Sequence, residues 1–370
     1  MRIGVVTFVN RNFNYGGVFQ GIAMRDYLRS LGHEAILLDV QFETVKSPLL
    51  KFLERPAKGI LERTKIKRFR PFKRKYVESG LSPFYTLDAF LADPPAFDAY
   101  VCGSDQIWNK GICAHPLKRR LFFLDFGPGG VKRIAYAASW GAAATDPVWE
   151  KDVAACLKRF DAISVREASG VDLAAKLGAS AVWLPDPTLL HTPNYWGAKA
   201  DDAVHPAAGI TLFKCEYRWT PAVPFATVEN LIREAYPSIR TVTPFSNRPL
   251  REWAMTRCLS PEEWLSHARH ATFALTNSYH ATLFSIQFHR PFLVIPLVGK
   301  YEGMNERIFS ITDRLGLKDR IVNSPDPRKL RDQIAAPIDW DCAERALAEW
   351  RQDARRFLTE NLAQALNVER

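Results

Sequence analysis

The chain runs to 370 residues, 47% of them hydrophobic and 24% charged, with a formal net charge of +10 at pH 7. This length suits two α/β domains better than one open sheet, and no stretch holds the eighteen or so uncharged apolar residues that a membrane span needs. Cys102, Cys113, Cys156, Cys215, Cys258 and Cys342 are scattered, with no C-x-x-C pair and no histidine at metal-ligand spacing, so no metal is expected and the thiols read as reduced, in a cytoplasm.

From the N-terminus, short β-branched runs alternate with helical periodicity, the pattern of a parallel sheet with crossover helices. Residues 3–9 read as the first strand; the run is too short for a signal peptide and lacks a small-residue cleavage site, so export is not expected. A loop over 10–17 leads into an amphipathic helix at 18–31, closed by Gly32, and 34–40 is the second strand. Residues 51–75 then carry eleven lysines and arginines against Glu54 and Glu62, almost the whole charge imbalance. That stretch reads either as a solvated loop or as a patch for an acidic partner such as an anionic membrane surface. Further strands are expected at 99–102, 122–126, 133–138, 162–165 and 182–184, with helices at 149–159 and 168–177. The proline-bearing segment 186–205 reads as an interdomain linker. A second series follows, with strands at 209–213, 240–243, 272–275 and 292–295 and helices at 226–234, 261–268, 279–287 and 306–315. The resulting division is an N-terminal Rossmann-like domain over 1–190 with a basic insertion at 51–75, a C-terminal Rossmann-like domain over 205–335, and a final helix at 339–366 expected to pack on the first domain.

Five segments carry candidate chemistry. Asn14-Tyr15-Gly16-Gly17 lies between the first strand and the first helix, where backbone N–H groups can face an anion or a sugar; it fits neither the G-x-G-x-x-G nor the P-loop pattern. Gly103-Ser104-Asp105-Gln106-Ile107-Trp108-Asn109 ends a strand in polar residues, so Asp105, Gln106 and Asn109 can bond sugar hydroxyls. Trp108 either stacks on a sugar ring or anchors the core. Arg166, at the end of the 162–165 strand, either grips a phosphate or carboxylate with two parallel bonds or pairs with a neighbouring acid. Asn277-Ser278-Tyr279-His280 opens a helix after an apolar strand, which makes Ser278 an N-cap. It also places His280, a side-chain type that titrates near neutrality, at the helix's positive end, where it is either structural or a proton carrier. Lys300 and Arg307 flank a glycine-bearing loop and either complete an anion pocket or are solvated.

In this order, Asn14-Tyr15-Gly16-Gly17, the Gly103 to Asn109 segment, Ser164-Val165-Arg166-Glu167, Asp186-Pro187-Thr188-Leu189-Leu190 and Ser278-Tyr279-His280 resemble the polysaccharide pyruvyltransferase family over about residues 3 to 317. The resemblance implies an α/β fold with two Rossmann-like domains facing a cleft, GT-B-like. It implies transfer of a pyruvyl group from phosphoenolpyruvate onto a sugar of a surface polysaccharide or its lipid-linked precursor, forming a ketal, with no cofactor beyond that donor. On this reading Arg166 and His280 are catalytic, and Arg166, Asn277, Ser278, Lys300 and Arg307 hold the donor. Asn14, Tyr15, Gly16, Gly17, Asp105, Gln106 and Trp108 meet the acceptor. The implied partners are phosphoenolpyruvate and an oligosaccharide or lipid-linked saccharide, with peripheral contact at an anionic membrane surface and no nucleic acid. Some family members carry an arginine where this chain has Ser278, so the resemblance implies either a second donor cation from elsewhere, Lys300 or Arg307, or reliance on backbone N–H groups. The alternatives are a GT-B-type glycosyltransferase using a nucleotide sugar, and a protein that binds nucleic acid or a membrane surface without catalysis.

Overall fold

The computed structural model describes residues 1–9, 13–41, 56–201, 211–216, 221–244 and 256–363. The chain divides into two compact units, one of Met1–Leu53, Lys73–His191 and Ala348–Arg370, the other of Glu54–Phe72 and Thr192–Leu347.

The first unit is built on strands β1 (Arg2–Val6), β2 (Glu34–Gln41), β3 (Leu81–Thr86), β4 (Ala99–Gly103), β5 (Lys132–Ala138), β6 (Ala162–Val165) and β7 (Val182–Trp183). They form one sheet in the order β3-β2-β1-β4-β5-β6-β7, with every pairing parallel. Strands covered on both faces are apolar throughout, as in Ile3-Gly4-Val5-Val6 and the wholly buried Ala99-Tyr100-Val101-Cys102-Gly103. The chain winds outward from β1 to β3 and returns to the other side at β4, so the topological switch point lies between β1 and β4, where open α/β sheets bind ligands at their carboxyl ends. Helices α1 (Tyr15–Ser30), α2 (Pro56–Tyr76), α3 (Leu87–Ala92), α4 (Lys110–Cys113), α5 (Pro116–Phe122), α6 (Pro147–Leu157) and α7 (Ser169–Lys176) connect these strands. An aromatic core of Trp108, Phe123, Trp140 and Trp149 fills one side.

The second unit repeats the plan. Strands β8 (Thr211–Cys215), β9 (Arg240–Pro244), β10 (Thr256–Arg257), β11 (Phe273–Thr276) and β12 (Phe292–Val294) form a parallel sheet in the order β10-β9-β8-β11-β12. Its switch point therefore falls between β8 and β11. Helices α8 (Pro193–Gly197), α9 (Phe225–Ala235), α10 (Pro261–His270), α11 (Tyr279–Gln287), α12 (Glu306–Arg314) and α13 (Pro327–Ala335) belong to this unit. α10 opens with a capping box between Ser260 and Glu263. The last helix, α14 (Trp340–Ala363), starts in the second unit and continues in the first. There the Trp350 indole N–H donates to the Trp183 carbonyl at 2.9 Å and Arg351 Nε to that of Leu189 at 2.6 Å.

Three expectations are corrected. Residues 122–126 form no strand; α5 ends at Phe122 and the chain turns at Leu124, φ 51°. A short apolar run has no periodicity to separate a buried strand from a buried turn. The basic stretch is not a loop across its described part, because α2 spans Pro56–Tyr76 with Phe69 and Phe72 buried beneath its cations; residues 51–55 lie outside the described residues. The linker expected at 186–205 contains the boundary between the units, His191 to Thr192, but starts too early, because Asp186 is fully buried in the first unit and Pro187–Leu190 form a 3-10 turn.

Candidate functional site

In the second unit the switch point is tied by Thr276, the last residue of β11. Its hydroxyl donates to the Cys215 carbonyl at the end of β8 (2.8 Å) and accepts from the Ser278 N–H (2.9 Å), while the Asn277 N–H also donates to Cys215 (3.2 Å). The chain then enters α11 with Ser278 extended at the N-cap (φ −92°, ψ 127°), but the Ser278 hydroxyl makes no capping bond. Tyr279, Asn277 and His280 are buried, and the Tyr279 and His280 rings meet edge to face at 5.2 Å. The Arg307 guanidinium lies over the Tyr279 ring at 5.5 Å, with Nε donating to the Met304 carbonyl at 3.2 Å. The structure thus gathers Asn277, Ser278, His280 and Arg307 around one strand-to-helix turn. Lys300 is exposed, its ammonium over the Tyr301 ring at 5.0 Å. Cys215, also at this edge, is no thiolate nucleophile, because burial pushes its thiol well above the ordinary range.

In the first unit a buried polar cluster occupies the carboxyl ends of β4, β5 and β6. Arg166 Nη1 is 3.1 Å from Asp186 Oδ2 and donates to Ser104 Oγ at 3.3 Å; the Ser104 hydroxyl donates to the same Asp186 oxygen at 2.6 Å. Asp105 and Glu167 stand 3.9 Å from other nitrogens of the guanidinium. The Ser139 hydroxyl donates to Glu167 and accepts from the Gly141 N–H. Asp186 Oδ1 takes the Thr188 N–H at 2.9 Å and the Thr188 hydroxyl at 2.8 Å.

Several expected contacts take a different form. Trp108 is wholly buried, stacked on Phe123 (5.0 Å, 7°) with its N–H on the Phe122 carbonyl, so it anchors the core and presents no face to a sugar. The Gly16 and Gly17 N–H groups are not held out for a ligand, since the Asn14 side chain, the N-cap of α1, accepts both. Tyr15, half-buried, is the first residue of that helix. The Gln106 side-chain carbonyl accepts from Asn109 at 2.9 Å, which leaves Gln106 and the partly exposed Asp105 at the end of β4. Arg166, expected to grip the donor, has a side chain that is 0% exposed, with Asp186 at 3.1 Å and Asp105 and Glu167 at 3.9 Å. The residues that sequence reasoning passed over are Ser104, Ser139, Glu167 and Asp186. The one signal for them was that Ser104, Glu167 and Asp186 sit inside the ordered motifs; Ser139 carried none.

Among the described residues no group of three or more His, Cys, Asp or Glu side chains could hold a metal ion, and no helix is long and apolar enough to cross a membrane.

Two Rossmann-like α/β units of this kind define a GT-B-like fold, and solved structures share it at low identity. A Listeria monocytogenes protein described as a UDP-N-acetylglucosamine 2-epimerase superposes with a TM-score of 0.55 at 10% identity, covering 100% of this chain and 98% of its own. An α-glucosyltransferase in complex with UDP and a 13-mer DNA containing an HMU base gives 0.53 at 12% identity, covering 98% and 95%. The Neisseria meningitidis UDP-GlcNAc 2-epimerase bound to UDP-GlcNAc gives 0.50 at 8%, covering 98% and 100%. The sequence finds no match among curated proteins. The polysaccharide pyruvyl transferase family model matches residues 14–297, and the chain belongs to that family. The expectation that nucleic acid is excluded as a partner is corrected, because α-glucosyltransferases of this fold are seen in complex with DNA.

Proposed function

We propose that the chain is a transferase that draws on a nucleotide sugar or a related phosphorylated donor and modifies a sugar acceptor. The observation that carries this reading is the β11–α11 turn, which brings Asn277, Ser278 and His280 to the switch point of the second sheet at the positive end of a helix. A diphosphate or phosphate placed there meets the helix dipole, and the imidazole of His280 stands beside it to pass a proton to or from the reacting oxygen. Arg307, joined to the turn through Tyr279, adds positive charge.

Two donors fit this description. A nucleotide sugar is favoured by the fold neighbours crystallised with UDP or UDP-GlcNAc, and support for it also comes from the burial of Arg166, whose guanidinium is already paired with Asp186. Phosphoenolpyruvate is favoured by the family itself. With that donor the methylene carbon takes a proton, two hydroxyls of one sugar add at the adjacent carbon, and phosphate leaves, giving a pyruvate ketal. His280 would move the proton in either case. The test is to incubate the protein with a panel of saccharide and lipid-linked acceptors, supplying UDP-sugars in one series and phosphoenolpyruvate in the other. UDP release with a sugar added to the acceptor supports the first donor; phosphate release with a pyruvyl mass gain supports the second. Neither product from any acceptor would count against a transferase.

A further inference from the structure

We infer that the Arg166–Asp186 pair is a buried post that sets the strained turn over residues 104–109, and through it positions the Asp105 carboxylate to bind the acceptor hydroxyl. The acceptor half of this inference rests on the transferase reading; the structural half does not.

β4 leaves the sheet through two successive non-glycine residues on the left-handed side of backbone space, Ser104 at φ 23° and Asp105 at φ 62°, and the facing strand β5 bulges at Ala137, φ 47°. Such conformations persist only where their surroundings hold them. Here the holders are specific. The Ser104 N–H donates to the Tyr136 carbonyl at 3.0 Å, the Ser139 N–H to the Asp105 carbonyl at 3.1 Å, and the Trp108 N–H to the Ser139 carbonyl at 3.2 Å. Beneath them the Ser104 hydroxyl is fixed by Asp186 and Arg166, and Asp186 cannot swing because Thr188 holds its second oxygen.

The cluster opens outward at one member. The side chains of Arg166 and Asp186 are 0% exposed and that of Glu167 1%, whereas Asp105 is 17% exposed. Asp105 Oδ1 takes the Gln106 N–H at 2.8 Å and faces Arg166 Nη2 at 3.9 Å, so one carboxylate oxygen is held from the turn and the buried cation while the side chain keeps 17% of its surface open. A carboxylate oriented in this way is a sugar-hydroxyl acceptor, and Arg166 acts through it without touching substrate.

The experiment compares Asp186→Asn, which keeps the shape and the Thr188 bond, Ser104→Gly, which removes the hydroxyl link but tolerates positive φ, and Arg166→Lys. Each is first checked for a cooperative melt. Amide exchange is then followed at Ser104, Ile107 and Trp108 against Val101 and Cys102 within β4. The inference predicts exchange at least about tenfold faster across the turn, with the strand unchanged, in Ser104→Gly and Asp186→Asn. Ser104→Gly keeps both Arg166 and Asp186 and should melt near the parent temperature, so it serves if the charged variant fails to fold. With a working donor and acceptor, all three variants should raise the acceptor KM about tenfold or more while the donor KM stays within twofold. An unchanged turn in Ser104→Gly overturns the inference. So does a raised donor KM with an unaltered acceptor KM, which would return Arg166 to the donor side. If the parent turns over nothing, the transferase reading falls, while the exchange result still decides whether the post holds the turn.

Discussion

Gly141 shows how much single positions of the first unit are constrained. It sits at φ +73°, and a Cβ there would fall 2.6 Å from Gln106 Oε1 and against the Asn109 amide as well. Gly141→Ala should therefore cost roughly 1–3 kcal/mol by urea denaturation and separate Gln106 from Asn109; a loss below about half a kcal/mol would mean the turn relaxes freely. The thiols make a second test. Burial pushes Cys102 and Cys215 well above the ordinary thiol range and Cys113 up to about 12, whereas Cys342 is exposed. Alkylation at pH 8 should label Cys342 quickly and the three buried thiols only on unfolding, as peptide mass mapping would show. Rapid labelling of Cys215 would instead mean that the edge of β8 opens in the native state. His280→Gln should lower turnover by about a hundredfold to ten-thousandfold if the imidazole moves the proton, with the fold retained. A near-parental rate would make His280 structural. At this scale the sequence was a poor guide for reasons of distance. Arg166 meets Asp186 20 residues on, and Ser104 meets it from 82 residues away, so no local pattern announces the cluster. Trp108 is a core anchor because Phe123, Trp140 and Phe160 close around it, which only the fold decides.

Elements fared better, because a parallel strand buried on both faces leaves a short apolar run. β6 and α11 fall at the residues where apolar run and helical period place them, and β1, β4, β8 and β11 are shifted by a few residues at most. β3 escaped notice because it is an edge strand, half exposed and carrying Pro83, and such a strand has no apolar run to read. α2 escaped because its cations outnumber its apolar residues in sequence. Its seat in the second unit is specific nonetheless: Arg68 pairs with Glu263, the capping residue of α10, and donates to the Cys258 carbonyl at 2.9 Å. Across β8, α9 and β9, Lys214, Glu229, Arg233 and Thr241 form one network, with Lys214 Nζ 2.7 Å from Glu229. Burial pushes the Glu229 carboxyl upward, but hydrogen bonds from Lys214, Thr241 and Arg233 outweigh it and hold the group below its ordinary 4.5. A depressed carboxyl contributes stability that is complete above its unfolded value and lost as pH falls through the folded one. Glu229→Gln should cost on the order of 2 kcal/mol at pH 7, by leaving Lys214 unpaired, and the difference from the parent should shrink below about pH 4. A difference that is constant from pH 7 to pH 3 would rule out the charge as its cause.

For the molecule as a whole, the strand orders β3-β2-β1-β4-β5-β6-β7 and β10-β9-β8-β11-β12 are the same winding used twice, and each puts a switch point at the end of its first strand. Motifs in the order observed pointed to this arrangement, and the family match over residues 14–297 spans them. What the sequence could not give is the division of labour inside those motifs. The Arg166 side chain is buried against Asp186, the glycine pair is capped by its own asparagine, and of the carboxylates around Arg166 Asp105 is the most exposed. The proposed site for a phosphorylated donor is the β11–α11 turn of the second unit. Titration calorimetry of the parent and of Asn277→Ala and Ser278→Arg, with UDP and with phosphoenolpyruvate in turn, addresses it directly. One of the two ligands should bind the parent and lose about tenfold or more in Asn277→Ala. Ser278→Arg, which adds a cation at the turn, should tighten phosphoenolpyruvate. Parental affinity for both ligands in both variants, or no binding of either ligand to the parent, would contradict that site.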